Sequence, residues 1–256
     1  MSEILSNLEG GVLTLTLNRL DKKNALTASM YARLADVFVE ATGDDAVRVV
    51  VIQGNEHVFT AGNDLQDFRD NPPDTTAAEP APVHRFLEAV RVFPKPLVAA
   101  VAGPAVGIGT TLLLHCDLVY AGDNAAFSLP FVNLGLCPEA GSSVLLPALT
   151  GYQRAAEKLL LGEAFYADEA LEMGLVNRIV PPGEVRAYAQ AQALKLALKP
   201  QASLKATKAL MKRSQDGLKG VMDAEFEQFG RMLRGPACKE AIDAFMNKRK
   251  PDFSAC

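Results

Sequence analysis

The chain has 256 residues, of which 49% are hydrophobic and 22% charged. At about 150 residues per domain, that length allows one large unit or two small ones, and the composition excludes wholesale disorder. With 26 Lys and Arg against 30 Asp and Glu, the formal charge is −4 and there is no long basic run, which argues against nucleic acid or an anionic membrane as the main partner. The first residues resemble neither a secretory signal nor an Arg-rich transit peptide. Cys116, Cys137, Cys238 and Cys256 are far apart and form no CxxC, so a reducing, cytoplasmic setting is expected. His57, His84 and His115 offer no metal-ligand spacing, so no metal site is expected.

Residues 4–8 and 12–17 are apolar runs on either side of Gly10-Gly11, which predicts an opening hairpin. A polar connection over 18–26 leads to Thr27, the N-cap of a helix with Tyr31, Leu34, Ala35 and Phe38 on one face and a stop at Gly43. Residues 47–52 are a β-branched run of the kind buried on both faces of a parallel sheet, and 97–101 and 118–120 read alike. Between 69 and 82, Asn71-Pro72-Pro73-Asp74 and Pro80-Ala81-Pro82 predict a mobile surface loop. Residues 96–116 carry no Asp, Glu, Lys or Arg and are long enough to span a bilayer. The prolines and glycines within them favour a strand, a turn and a buried helix instead. After about residue 140 one strand is expected, at 176–180, among helices at 153–161, 168–173, 184–198, 202–213, 218–233 and 239–248. The layout is an α/β core followed by a helical tail, divided at 1–200 and 201–256.

Three segments carry residues suited to chemistry. In Phe59-Thr60-Ala61-Gly62-Asn63-Asp64-Leu65, the small residues allow a ligand close to the backbone, and Asp64 sits where a helix starts. Unsatisfied N–H groups at such a start hold an anion or a polarised carbonyl, and a plain turn capped by Asp64 fits the same residues. Residues 101–112 form a strand, a turn and a helix beginning near Gly107. They lack the Lys of a phosphate loop and the third Gly of a dinucleotide fingerprint. The third segment is Leu134-Gly135-Leu136-Cys137-Pro138-Glu139-Ala140-Gly141-Ser142-Ser143. Glu139 is the one charged residue from Asn124 through Gln153, so desolvation raises its pKa towards a value useful for proton transfer. A helix-terminal Glu favoured by the dipole fits it equally. Taken together, two loops offer amides and a third offers an isolated carboxylate, the parts needed to abstract a proton α to a thioester and to stabilise the enolate. There is no Gly-x-Ser-x-Gly elbow, and His115 lies in an apolar run, where it reads as core.

These segments, in this order, resemble the crotonase (enoyl-CoA hydratase/isomerase) superfamily. The resemblance takes in Asn18 to Leu26, the three segments above, Phe127-Ser128-Leu129-Pro130, Gly174-Leu175-Val176-Asn177 and the closing Lys248-Arg249-Lys250-Pro251-Asp252-Phe253. It implies a ββα spiral core, a C-terminal helical trimerisation region, homotrimers or dimers of trimers, and acyl-CoA as substrate with no further cofactor. By motif, oxyanion amides fall on Asn63 and Ile108. The acyl-CoA contacts fall on Lys22, Lys23, Ala25, Ala61, Gly62, Asp64, Leu65, Gly109 and Lys248, with Arg249 and Lys250 beside the last. Ordinary solvated side chains account for the basic residues equally. The two glutamates of the family's hydratases would lie at Thr111 and Phe131, and neither position is acidic. Pro138-Glu139 stands where the 3-enoyl to 2-enoyl isomerases keep a single acid, so the chain looks like the isomerase branch. The alternatives are a hydratase, an isomerase of a ring-derived acyl-CoA, or a non-catalytic acyl-CoA-binding scaffold. The apolar residues Leu218, Val221, Met222, Phe226, Phe229 and Leu233 are either the subunit contact or internal core.

Overall fold

The computed structural model describes residues 2–71, 79–254 and 256. The opening hairpin forms as expected. β1 (Ile4–Glu9) and β2 (Val12–Leu17) pair antiparallel, with Glu9 opposite Val12. Thr27 caps α1 (Ala28–Gly43), its hydroxyl accepting from the Met30 N–H, and Tyr31, Leu34, Ala35 and Phe38 are buried. β3 (Val49–Gln53) buries Val49 through Ile52 without alternation, because both faces of the sheet are covered.

Helices α2 (Leu65–Asp70) and α3 (Pro82–Val92) take up part of what the sequence presented as one loop. Asp64 starts α2 by accepting from the Gln66 and Asp67 N–H groups, Phe68 anchors it, and Pro82 opens α3 with its fixed φ. Of the expected loop, residues 72–78 lie outside the described residues.

The chain continues through β4 (Leu97–Val101), β5 (Pro104–Val106), α4 (Ile108–Thr111), β6 (Leu118–Gly122) and β7 (Ala126–Ser128). Then come α5 (Ser142–Thr150), α6 (Tyr152–Leu161), β8 (Phe165–Tyr166), α7 (Ala167–Glu172) and β9 (Arg178–Val180). The helical tail is α8 (Val185–Ala197), α9 (Gln201–Met211), α10 (Leu218–Leu233) and α11 (Pro236–Met246). β5, β7 and β8 were not read from the sequence, and of α5 only the start beside Glu139 was. The strands have three residues or fewer, too short for a period to show, and Pro104 and the flanking glycines disguise β5.

A large sheet has the order β1-β2-β3-β4-β6-β9 and a small one the order β5-β7-β8. From β2 to β9 every pairing in the large sheet is parallel. After β4 the chain turns into β5 and then α4, and after β6 it turns into β7 and then α5. Thr60 pairs with Ala105 after β3 in the same manner, and α2 follows. Each turn of this spiral therefore passes from the large sheet to the small one and then into a helix. Asn63, Ile108 and Glu139 fall at or just before the starts of α2, α4 and α5. Residues 96–116 are divided among β4, β5, α4 and a single 3-10 turn, Leu112–His115. Among the described residues no helix is long and apolar enough to cross a membrane.

One apolar cluster fills the spiral and includes Phe38, Phe59, Phe86, Phe127 and Phe165. Leu218, Met222, Phe229 and Leu233 of α10 and Cys238 and Ile242 of α11 belong to the same cluster, so residues 201–256 share the core of residues 1–200. The apolar stripe of α10 is thus buried within its own chain, with Val221 and Phe226 half-buried at its margin. On the other face of the large sheet, α8 places Val185, Ala189, Ala193 and Ala197 over Val49, Val51, Val98 and Tyr120.

Candidate active site

The wall of the site begins with the loop after β2. Asn24 is fully buried. Its side-chain amide donates to the Phe59 carbonyl and its side-chain oxygen accepts the Arg19 N–H. The Thr60 hydroxyl donates to the Asn24 carbonyl, and the Ala61 N–H donates to the Lys23 carbonyl. One Arg19 nitrogen reaches both Asp64 Oδ2, at 2.6 Å, and the Ala25 carbonyl, at 2.9 Å. Burial pushes the Asp64 carboxyl up, but Arg19 and the N–H groups of Asp67 and Gln66 outweigh that and hold it below the usual range. The 19–25 loop is thereby fixed against 59–64. A cleft of about 1100 Å³ opens between them, and Lys22, Lys23, Ala25, Ala61, Gly62, Asn63, Asp64 and Leu65 all line it.

Two backbone N–H groups are left over by this arrangement. Leu26 and Asn63 form a parallel bridge in which the Leu26 N–H donates to Gly62 and the Asp64 N–H to Leu26. The Asn63 N–H therefore points away from that bridge. Ile108 is the first residue of α4, so its N–H has no partner within the helix. Neither N–H has an acceptor among the described residues. Thr60 and Ala105 hold the two segments side by side. Gly62 has φ 86, and a Cβ there would stand 2.8 Å from the Val106 carbonyl oxygen. A Cβ on Gly109 would stand 2.5 Å from Thr60 Cγ2. At Gly107 a Cβ would meet nothing within 4 Å, and the demand is conformational instead, with φ 55 and ψ −115.

Glu139 lies three residues before α5 and is buried. The Thr111 hydroxyl donates to its Oε1 at 2.5 Å. Burial pushes its pKa up to about 8; the Thr111 bond works against this, and the charge of Glu225 adds to it. The backbone around it is pinned. The Ser142 N–H and hydroxyl both donate to the Glu139 carbonyl, and Ala140 sits at φ 59. His115 is buried with its pKa pushed down to about 4 by desolvation, so it is neutral and donates Nε2–H to the Ala140 carbonyl. It is the core residue that the sequence indicated, with a structural task beside the acid.

Phe131 is buried and forms an aromatic wall with Phe229 and Phe68, with edge-to-face contacts at 6.5 and 6.0 Å. All three line the cleft with Leu136, Phe245 and Met246. Positions 111 and 131 thus carry a hydroxyl bonded to Glu139 and an apolar ring. Ile108, Gly109 and Glu139 are buried and do not line the cleft, so the structure does not bring them to its open wall, where Asn63 is met by Tyr31. The Tyr31 hydroxyl donates to Asn63 Oδ1 at 2.5 Å, and its pKa is raised by burial and by the charge of Glu139. Lys248, in the turn after α11, is exposed and off the cleft lining, although Phe245 and Met246 at the end of that helix reach it. Arg249 is held by Glu240, at 2.5 Å, and by Asp243, which leaves its guanidinium engaged within the chain. Sequence reasoning passed over Tyr31 and Glu225. Glu225 falls between Met222 and Phe229 on the buried stripe of α10, and an acid on an apolar helix face was the available signal.

The chain belongs to the enoyl-CoA hydratase/isomerase family, whose model matches residues 7–255. Its solved neighbours have the crotonase fold. The structure of Pseudomonas aeruginosa OdaA matches with a TM-score of 0.92 at 47% identity, covering 96% of this chain and 99% of that one. Among characterised relatives, the 2,3-dehydroadipyl-CoA hydratase of Escherichia coli is 35% identical over 99% of both chains. Enoyl-CoA delta isomerase 2 of Rattus norvegicus is 37% identical over 97% of this chain and 64% of its own length. The relatives thus include both hydratases and isomerases, and the chain is an enzyme of this superfamily acting on acyl-CoA.

Proposed function

We propose that the protein is an enoyl-CoA isomerase that shifts a 3-enoyl thioester to the 2-enoyl isomer. The observation that carries this reading is the buried carboxylate of Glu139, bonded to Thr111, with no acid at positions 111 and 131. The thioester oxygen accepts the N–H groups of Asn63 and Ile108. Ionised Glu139 takes the proton from the carbon between the carbonyl and the double bond, leaving an enolate whose negative charge the two amides stabilise. The carboxylic acid then returns that proton at the far end of the allyl system, and the double bond has moved by one position. One group suffices, because the proton removed is the proton returned. The aromatic wall keeps water from the enolate. Lys22 and Lys23 stand at the cleft mouth, where the CoA phosphates need cations.

Glu139→Gln keeps the side chain's size and removes the base. Turnover of 3-enoyl-CoA is expected to fall by about 10²–10⁴-fold with acyl-CoA binding retained, and a variant within about threefold of the parent overturns the assignment. We further propose a homotrimer or dimer of trimers in the cytoplasm. The four cysteines are free. With the α10 stripe buried, the exposed apolar side chains include Tyr152, Leu160, Leu161 and Tyr166 of α6 and β8 and Leu198, Leu210 and Met211 of the tail. Light scattering that returns the 27.4 kDa monomer at micromolar concentration contradicts the assembly.

A further inference from the structure

We propose that Glu225, on α10, is a positioning residue for the acid/base: its carboxylate fastens the turn that follows Glu139 and sets a second fixed negative charge behind it. This rests on the reading of Glu139 above. The Glu225 carboxylate is buried and accepts the Gly141 N–H at 2.6 Å, the Ser143 N–H at 3.1 Å and the Ser143 hydroxyl. These donors form the first turn of α5, so a side chain from far along the chain caps that helix across the core, where its negative charge also suits the helix dipole. No cation pairs with it among the described residues. Its carboxylate is therefore placed by the α5 turn, and the Cys137 thiol donates to the Glu225 backbone carbonyl at 3.9 Å.

The consequence for Glu139 is geometric first. Glu139 and Ala140 are the residues between Pro138 and the capped turn, and Ala140 is held in a left-handed conformation that an alanine leaves if released. His115 grips Ala140 from one side and Glu225 grips Gly141 and Ser143 from the other. The consequence is also electrostatic. The groups facing the pair from neighbouring elements are Tyr31 of α1, Thr111 of α4, neutral His115 and the Cys137 thiol, none of which brings a positive charge. Arg231 acts on Cys137 and lies towards Glu227 on its own helix, at 3.7 Å. The Glu225 charge therefore opposes ionisation of Glu139 without a compensating cation.

The test is the pH profile of kcat/KM on a 3-enoyl-CoA for three variants. Glu225→Gln removes the charge and upsets the cap. It is expected to lower kcat by about 10–100-fold with KM within about threefold, as for a small misplacement of a reacting group, and to move the rising limb of the profile to lower pH. Ser143→Ala loosens the same turn with both carboxylates in place, so kcat falls and the limb stays. Glu225→Asp keeps the charge and shortens the reach, so it also lowers kcat with the limb unmoved. A Glu225→Gln enzyme with the parent's kcat and limb overturns the proposal. Should that variant not fold, the other two decide, and parental kcat in both overturns it. Glu139→Gln, measured alongside, separates the two readings. If it keeps turnover, the acid/base assignment fails; if it is inactive while the Glu225 series is silent, the positioning role alone fails.

Discussion

Replacing Glu139 by Gln is expected to stabilise the protein, and to do so more at high pH than at low. The carboxyl has an ordinary pKa of 4.5 and a native pKa of about 8. Across that window the native state holds a proton that the unfolded chain has lost, so stability falls as pH rises and levels off above about 8. At about 1.36 kcal/mol for each pH unit between the two pKa values, the full loss is ~5 kcal/mol. That figure is an upper limit, because the native state relaxes around a buried charge. Gln cannot ionise, and its side-chain oxygen still accepts the Thr111 hydroxyl. Between pH 5 and pH 9 the advantage of the variant should therefore grow by at least about 1 kcal/mol, equal to about 2–4 °C in Tm for a chain of this size. Calorimetry of both proteins at the two pH values is the assay, and their difference cancels every other titrating group. A Tm difference that is the same at pH 5 and pH 9 refutes the claim that this carboxyl is buried uncompensated.

The same pKa sets the activity profile. The base form is required, so kcat/KM for 3-enoyl-CoA should rise as pH increases through about 8 and level off above it; a profile flat from pH 6 to 9 contradicts Glu139 as the base. Asn63 acts through its backbone, so Asn63→Ala should be mild, costing only the bond from Tyr31. Gly109→Val should cost about 2.7–4 kcal/mol in barrier, the loss measured when one oxyanion donor is removed from subtilisin, because its side chain meets Thr60 and re-aims the Ile108 amide. Steady-state kinetics that find Gly109→Val harmless move the oxyanion site elsewhere.

The parts of this molecule that show in the sequence are those whose cause is local. The run from Val49 to Ile52 betrays a strand buried on both faces, and the face of Tyr31, Leu34, Ala35 and Phe38 betrays α1 with its Thr27 cap. Glu139 stood out because its neighbours in sequence carry no charge, and it is buried, although the acid Glu225 lies close enough to act on it. What did not show depends on partners distant in the chain. The strand β5 is three residues that pair only because β7 and Thr60 lie beside them. The start of α2 at Asp64 was legible, but its last residues fall in the stretch read as loop. Lys248 and Arg249 matched a motif, but the turn after α11 and the acids of that helix decide where they face. Glu225 meets Gly141 and Ser143 across the core, and no local pattern announces that contact.

The central claim is that one carboxylate makes this enzyme an isomerase. Hydration of a 2-enoyl thioester needs one group to hold and deprotonate water and another to protonate the α-carbon. Thr111 is not a base near neutral pH, Phe131 is apolar, and both carboxylate oxygens of Glu225 are taken up by the N–H groups of Gly141 and Ser143. The most direct measurement is a side-by-side assay of 3-enoyl-CoA isomerisation and 2-enoyl-CoA hydration at matched chain length. The structure predicts that isomerisation exceeds hydration by at least about tenfold in kcat/KM, about 1.4 kcal/mol in barrier. Hydration equal to or faster than isomerisation would contradict it, and would mean that a second acid serves the site.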